Sequence, residues 1–195
     1  MKKVVVSILI LGVVLAVALI GAIALFTDQA TNPDNTFSTG TVDLAINPAT
    51  AMFTVSNMAP GNFTYKGIDL TNSGSLQLRY AMTTTVGGNN ITLAQQLDLT
   101  IDVVTGAGDD TFWYTSDDVV GGANIYGPDG VLSSAAIGNA TQGNQLGDRT
   151  LNASGNERLR FKVTLPLDTG NSYQNTTCTV AFVFDAEQTI HNPEP

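Results

Sequence analysis

The chain has 195 residues and a mass of 20.4 kDa, which suits one domain built around a single core. Charged residues make up only 13%, and Gly, Ser, Thr and Asn are frequent, so the composition favours a turn-rich β protein over a helical bundle. With 17 acidic and 8 basic residues the net charge is -9, which argues against a nucleic-acid partner because phosphate binding needs a concentrated basic surface. One Cys and one His exclude an internal disulfide and a zinc site built from several histidines.

An apolar segment opens the chain. Residues 4–26 are almost entirely apolar and follow the basic pair Lys2 and Lys3. A run of about 20 apolar residues can span a bilayer, but an A-I-A site that ends at Ala24 favours a secretory signal peptide. We predict that residues 1–24 are a signal peptide cleaved after Ala24, and a retained membrane anchor is the alternative. In both cases the rest of the chain lies outside the cell and meets the membrane only through this segment.

Alternating apolar residues dominate the chain after residue 37, a pattern typical of half-buried β-strands. The groups that share one strand face are Val42, Leu44 and Ile46; Phe53 and Val55; Leu76, Leu78, Tyr80 and Met82; Leu97, Leu99, Ile101 and Val103; Leu159, Phe161, Val163 and Leu165; and Cys178, Val180, Phe182 and Phe184. Between Tyr65 and Ile68 the alternation changes phase at Gly67, which predicts a β-bulge. Residues 91–97 are predicted to form a helical turn.

Seven or more such strands without a long crossover helix predict an all-β fold, a jelly-roll-like antiparallel β-sandwich. We assign this sandwich to residues 37–190 and treat residues 191–195 as a tail. Within the sandwich, residues from about 106 to 157 are rich in Gly and Asp. This stretch is predicted to be a variable insertion that holds short strands at best.

Three stretches, taken in order, carry a family resemblance. They are FTDQATNPDNTFSTGTVDL at residues 26–44, MAPGNFTYKGIDLTNSGSLQLRY at residues 58–80, and LPLDTGNSYQNTTCTVAFVFDAEQT at residues 165–189. Together they resemble the TasA/camelysin family of exported surface and biofilm-matrix proteins. The chain departs from the family pattern at Asn175, where Gly is usual, and across residues 106–143.

The resemblance implies a secreted jelly-roll subunit of the extracellular matrix or cell surface. Such a subunit is released by a dedicated signal peptidase and assembles head to tail with copies of itself into filaments. Residues 25–36 would then be a donor strand, since an extended peptide satisfies the unpaired N–H and C=O groups of a neighbour's open sheet edge. A disordered N-terminus is the alternative. The predicted self-assembly residues are Leu25, Phe26, Asp28 and Ala30.

The camelysin branch of the family is also classed with the metallopeptidases. However, His191 is the only histidine and no H-E-x-x-H motif exists, so we expect no catalytic residues, no cofactor and no enzyme activity. A camelysin-like metallopeptidase is the remote alternative to a filament subunit. The nearer alternative is a membrane-anchored, monomeric surface module that binds glycan or protein through the insertion.

A group of aspartates in the insertion is a candidate calcium site, because Ca²⁺ prefers hard oxygen ligands on flexible loops. Solvated turn residues are the alternative explanation. The candidate ligands are Asp109, Asp110, Asp117, Asp118 and Asp129.

N-x-S/T sequons mark candidate glycosylation sites if the host modifies exported proteins. Their asparagines are Asn62, Asn90, Asn139, Asn152 and Asn175. Cys178 shares a predicted strand face with Val180 and Phe182, so we expect a buried and unreactive thiol.

Overall fold

The computed structural model describes residues 38–49, 53, 58–87, 91–105 and 124–190. The chain divides into two units, Met1–Ser38 and Thr39–Pro195, and the strands named below belong to the second unit. The predicted signal peptide and donor segment lie outside the described residues. No helix within the described ranges is long and apolar enough to cross a membrane.

Nine β-strands form two antiparallel sheets in the described part of the chain. In chain order the elements are β1 (Leu44–Asn47), β2 (Phe63–Asn72), β3 (Leu78–Gly87), α1 (Ile91–Gln96), β4 (Asp98–Val103), β5 (Asn124–Val131), β6 (Ala136–Ile137), β7 (Arg149–Leu151), β8 (Asn156–Thr164) and β9 (Thr179–Gln188). The five-stranded sheet has the order β1-β2-β8-β4-β5. In the four-stranded sheet, β9 pairs with the whole length of β3 on one side. On the other side of β3, β6 and β7 pair with different parts of the strand.

The two sheets pack face to face around one apolar core, which confirms the predicted all-β sandwich. The rings of Phe161 on β8 and Phe182 on β9 meet edge to face, with centroids 4.9 Å apart. The chain crosses repeatedly from one sheet to the other, which gives a jelly-roll-like connectivity. The predicted helical turn is α1. Fully buried core residues that the alternation predicts include Leu78, Tyr80, Met82, Leu99, Ile101, Leu159 and Phe161.

The predicted bulge at Gly67 is wrong, because β2 pairs with β8 in one unbroken register. The alternation changes phase for a different reason. Phe63 and Tyr65 lie on the outer face of the five-stranded sheet, whereas the later apolar residues of β2 point into the core. Lys162 and Arg160 lie 4.8 and 4.9 Å from the centroids of these two rings, and the cation–π contacts partly cover them.

The insertion contributes more to the sheets than its sequence predicts. β5 has 8 residues and pairs with β4, so the expectation of short strands at best is wrong there. Pro128 and Gly130 interrupt the alternation of apolar residues, so the sequence does not indicate this strand. The pairing of β5 with β4 is also irregular, with shifts in register. β6 and β7 are short, as expected. Phe53 lies outside any strand, and Val55 lies outside the described residues.

Candidate self-assembly surface

β9 forms one edge of the four-stranded sheet. All 10 of its residues pair with β3, and among the described residues no strand pairs with its other side. Its sequence, TVAFVFDAEQ, has neither Pro nor Gly and is rich in β-branched and aromatic residues, so the edge is long and regular. The backbone N–H and C=O groups of such an edge can pair with an added strand.

The inner face of β9 is only half covered in the described structure. Val180, Phe182 and Phe184 pack against the core, yet each remains partly exposed. The ring centroid of Phe184 lies 6.1 Å from that of Tyr80, and that of Phe182 lies 6.5 Å from that of Phe53. A strand added beyond β9 would bury more of these side chains, and such burial contributes about 25 cal/mol per Å² of apolar area.

The other sheet edges are less suitable for strand addition. β1 has 4 residues and is followed by Pro48. β5 carries Pro128, which has no N–H to donate, and its register with β4 is irregular. β6 and β7 have 2 and 3 residues. β9 is therefore the longest regular edge in the ranges that the structure describes.

A buried cluster of charges fixes one end of β9. Arg79 on β3 lies opposite Glu187 on β9 and forms ion pairs with Glu187 and with Asp148. Residues 138–148, which join β6 to β7, are called the 138–148 loop below. The backbone N–H of Gly143 in this loop donates to the Glu187 carboxylate at 2.8 Å. The cluster therefore ties β3, β9 and the loop together.

The loop is also held by hydrogen bonds of its own. The Asp148 carboxylate accepts from the backbone N–H of Asn139 at 2.8 Å and of Gln145 at 2.7 Å. The Arg79 guanidinium donates to the carbonyl of Thr141 at 2.7 Å. Arg79 occupies the outer face of β3, where alternation predicts exposure, but it is only 3% exposed because the loop crosses over it.

A second polar cluster joins the two sheets. Glu157 on β8 accepts hydrogen bonds from the hydroxyl of Tyr80 and, at 2.8 Å, from Nε of Arg149. Burial raises the pKa of Tyr80, and the hydrogen bond to Glu157 raises the pKa of Arg149. Neither group exchanges a proton near neutral pH, so this cluster is a structural tie.

Of the five predicted calcium ligands, the structure describes Asp129. Burial raises the pKa of Asp98, and the nearby charges of Asp129 and Asp168 raise it further. Within the described ranges no group of three or more potential ligands is placed to hold a metal ion. The calcium site stays a prediction, which a calcium-dependent rise in melting temperature would test. The predicted site residues that lie outside the described ranges are Asp109, Asp110, Asp117, Asp118, Leu25, Phe26, Asp28 and Ala30.

Cys178 directly precedes β9 and is half-buried, not buried as predicted, and its partial burial raises the pKa of the thiol. The thiol therefore stays protonated at neutral pH, in agreement with the predicted low reactivity. Asn90 and His191 lie outside the described residues. The sequon asparagines that the structure describes are all exposed, namely Asn62, Asn139, Asn152 and Asn175.

Sequence reasoning missed the β9 edge, the ion-pair cluster and the exposed Leu146. Two local signals were present. Arg79 stands between Leu78 and Tyr80 inside an apolar strand, and Leu146 is the one large apolar residue in a polar loop. Neither signal identifies its partners, because those come from distant segments.

Comparison with known proteins assigns the chain to a family. The family whose sequence model is described as camelysin metallo-endopeptidase matches residues 1–105, more than half of the chain. The chain therefore belongs to the camelysin family, as the resemblance predicts.

Two solved structures show a distant likeness. The PapD-like domain 7 of human CEP192 is 10% identical, with 87% of this chain and 99% of that chain covered and a TM-score of 0.31. Spo0M, a sporulation control protein from Bacillus subtilis, is 16% identical, with 78% of this chain and 49% of that chain covered and a TM-score of 0.23. Neither likeness bears on function. A comparison with curated proteins gave no match.

Proposed function

We propose that the chain is a structural subunit of extracellular filaments, in a biofilm matrix or on a cell surface. The N-terminal segment of one copy adds as a strand to β9 of the next copy. The observation that carries this proposal is the β9 edge, which is long and regular and has partly exposed apolar side chains on its inner face. Membership of the camelysin family and the apolar segment at residues 4–26 support an extracellular location.

The proposed donor is the segment of residues 25–36. Phe26 and Ala30 share one face of an extended strand, with Asp28 between them, and Pro33 cannot donate to a ladder. The segment has too few apolar residues to form a stable strand alone and gains most by pairing with another copy's edge. Because this contact is heterologous, it need not close, and an open filament results.

Removal of the donor tests the mechanism. Protein that begins near Leu25 should form filaments, and deletion of residues 25–35 should leave folded subunits that do not polymerise. Phe26→Asp should raise the critical concentration about 100-fold, because the contact loses its aromatic side chain and gains a second charge beside Asp28, at a cost of about 3 kcal/mol. Asn32→Asp adds the same charge outside the apolar part of the donor and should polymerise like the wild type. Circular dichroism reports the fold, and sedimentation with electron microscopy reports the polymer.

The outcomes test the donor segment and the acceptor strand separately. Unchanged filaments from the truncated protein would refute donor-strand assembly, and loss of the β signal would show that the segment belongs to its own subunit's sheet. A synthetic peptide of residues 25–36 with a photo-crosslinker at Phe26 should label the truncated subunit within β9. Labelling of β1 or β5 instead would move the acceptor to the five-stranded sheet.

A metallopeptidase is the second candidate, which the description of the matching family favours. We expect purified protein to leave casein intact with and without added zinc, because His191 is the sole histidine of the chain. Gel electrophoresis after incubation measures this, with a chelator as the control. Reproducible cleavage that His191→Ala abolishes would establish the enzyme.

A membrane-anchored monomer is the remaining alternative. N-terminal sequencing of the exported protein separates it from a filament subunit. An intact Met1 or Lys2 would favour the anchor, since a helix retained in the membrane leaves the following residues tethered and unavailable as a soluble donor.

A further inference from the structure

Leu146 projects into solvent from the 138–148 loop. The residue is 100% exposed, and the residues around it in the loop are small or polar. Burial of an exposed leucine side chain against another surface is energetically favourable. A single exposed leucine is common on protein surfaces, so its significance depends on how the structure holds it.

The loop that carries Leu146 is fixed in position. Asp148 anchors one end through its ion pair with Arg79 and through the backbone N–H groups of Asn139 and Gln145. Gln145 directly precedes Leu146 in the chain. A side chain on such a pre-organised loop loses little conformational freedom when it binds.

Little charge lies on the 138–148 loop, and the same holds for other described stretches such as residues 169–184. Residues 138–147 carry no charge, and Asp148 is paired with Arg79. The whole chain has a net charge of -9, so two copies repel each other except where charge is absent or complementary. The 138–148 loop is such a region of little charge. It contacts β9 directly, because the backbone N–H of Gly143 donates to the Glu187 carboxylate.

We infer that Leu146 is an apolar anchor for a second copy of this chain, namely the subunit that donates its strand to β9. The inference rests on the proposed function. Strand addition pairs the backbone of the edge, but a single strand fixes the orientation of the added subunit poorly. A second contact from a rigid, uncharged loop next to the edge fixes that orientation and strengthens the junction.

A matched pair of leucine variants tests the anchor in protein that begins near Leu25. Leu146→Ser should raise the critical concentration for filament formation about tenfold, since the junction loses one buried leucine. Leu167→Ser is the control, because Leu167 is 82% exposed but lies next to Asp168 on the connection from β8 to β9. The control should polymerise like the wild type. Sedimentation across a concentration series measures all three proteins.

The outcomes distinguish the anchor from strand addition itself. Equal critical concentrations for Leu146→Ser and the wild type would overturn the anchor and leave the filament intact. Equal increases in critical concentration for Leu146→Ser and Leu167→Ser would overturn the anchor too, because general surface apolarity would then explain the effect. Absence of filaments from the wild type would overturn the proposed function together with the anchor. Melting curves in the background that lacks residues 25–35 should coincide for all three proteins, which excludes a folding defect.

Discussion

Asp98, at the start of β4, has surroundings that oppose its charge. Burial and repulsion from Asp129 and Asp168 raise its pKa in the folded protein. Because the folded pKa lies above the unfolded one, the charged carboxylate weakens folding at higher pH, and the penalty disappears as the pH falls below the unfolded pKa. Asp98→Asn should therefore raise the melting temperature by about 1–2 °C at neutral pH and leave it unchanged at about pH 3.

Thermal unfolding followed by circular dichroism at the two pH values measures this effect. Asp129→Asn is the companion variant, since it removes one repelling neighbour and should give a smaller rise at neutral pH. A lower melting temperature for Asp98→Asn at neutral pH would show that its carboxylate makes a favourable contact instead.

The turn from β2 to β3 holds the segment that leads into β1. The Ser73 N–H donates to the carbonyl of Asp43 at 2.8 Å, and the Ser75 N–H donates to that of Thr41 at 3.1 Å. Gly74 lies between these bonds, and a Cβ at this position would overlap the carbonyl oxygen of Thr41. The close approach of the two backbones therefore requires glycine at position 74.

Gly74→Ala should lower the free energy of unfolding by about 1–3 kcal/mol, because a backbone segment has to move to admit the methyl group. Gly87→Ala is the matched control, since a Cβ at the end of β3 would meet no atom within 4 Å. It should stay within about 0.5 kcal/mol of the wild type. Urea unfolding of subunits that lack residues 25–35 measures both variants, and equal stability of the two would contradict the close packing of this turn.

The strands differ in how far their sequences predict them. β4, β8 and β9 alternate clearly and lie where predicted, because each buries one face against the opposite sheet. β2 departs from its predicted form since Phe63 and Tyr65 are aromatic yet lie on the outer face under Lys162 and Arg160. Alternation reports which residues share a face, and only tertiary packing decides which face is buried.

Whether a strand lies at the edge of a sheet depends on long-range contacts. The sequence predicts the family and a donor segment, but nothing local in TVAFVFDAEQ indicates that one side of β9 lacks a partner among the described residues. The cluster of Arg79, Asp148 and Glu187 is equally invisible, because it joins three distant segments. Residues 25–36 lie outside the described ranges, so the donor itself stays a prediction.

The pairing of β9 with β3 also affects the order in which the strands form during folding. Gly87 pairs with Thr179 and Leu78 with Gln188, so about 100 residues separate the partners, and contacts this distant form late in folding. A chain that emerges N-terminus first therefore exposes residues 25–36, the proposed donor, long before β9, the proposed acceptor, has formed. If subunits assemble as proposed, the donor of an earlier, finished subunit would already be in reach when β9 docks. In the proposed assembly, slow closure of the last strand would thus favour growth of a chain of subunits over self-capture.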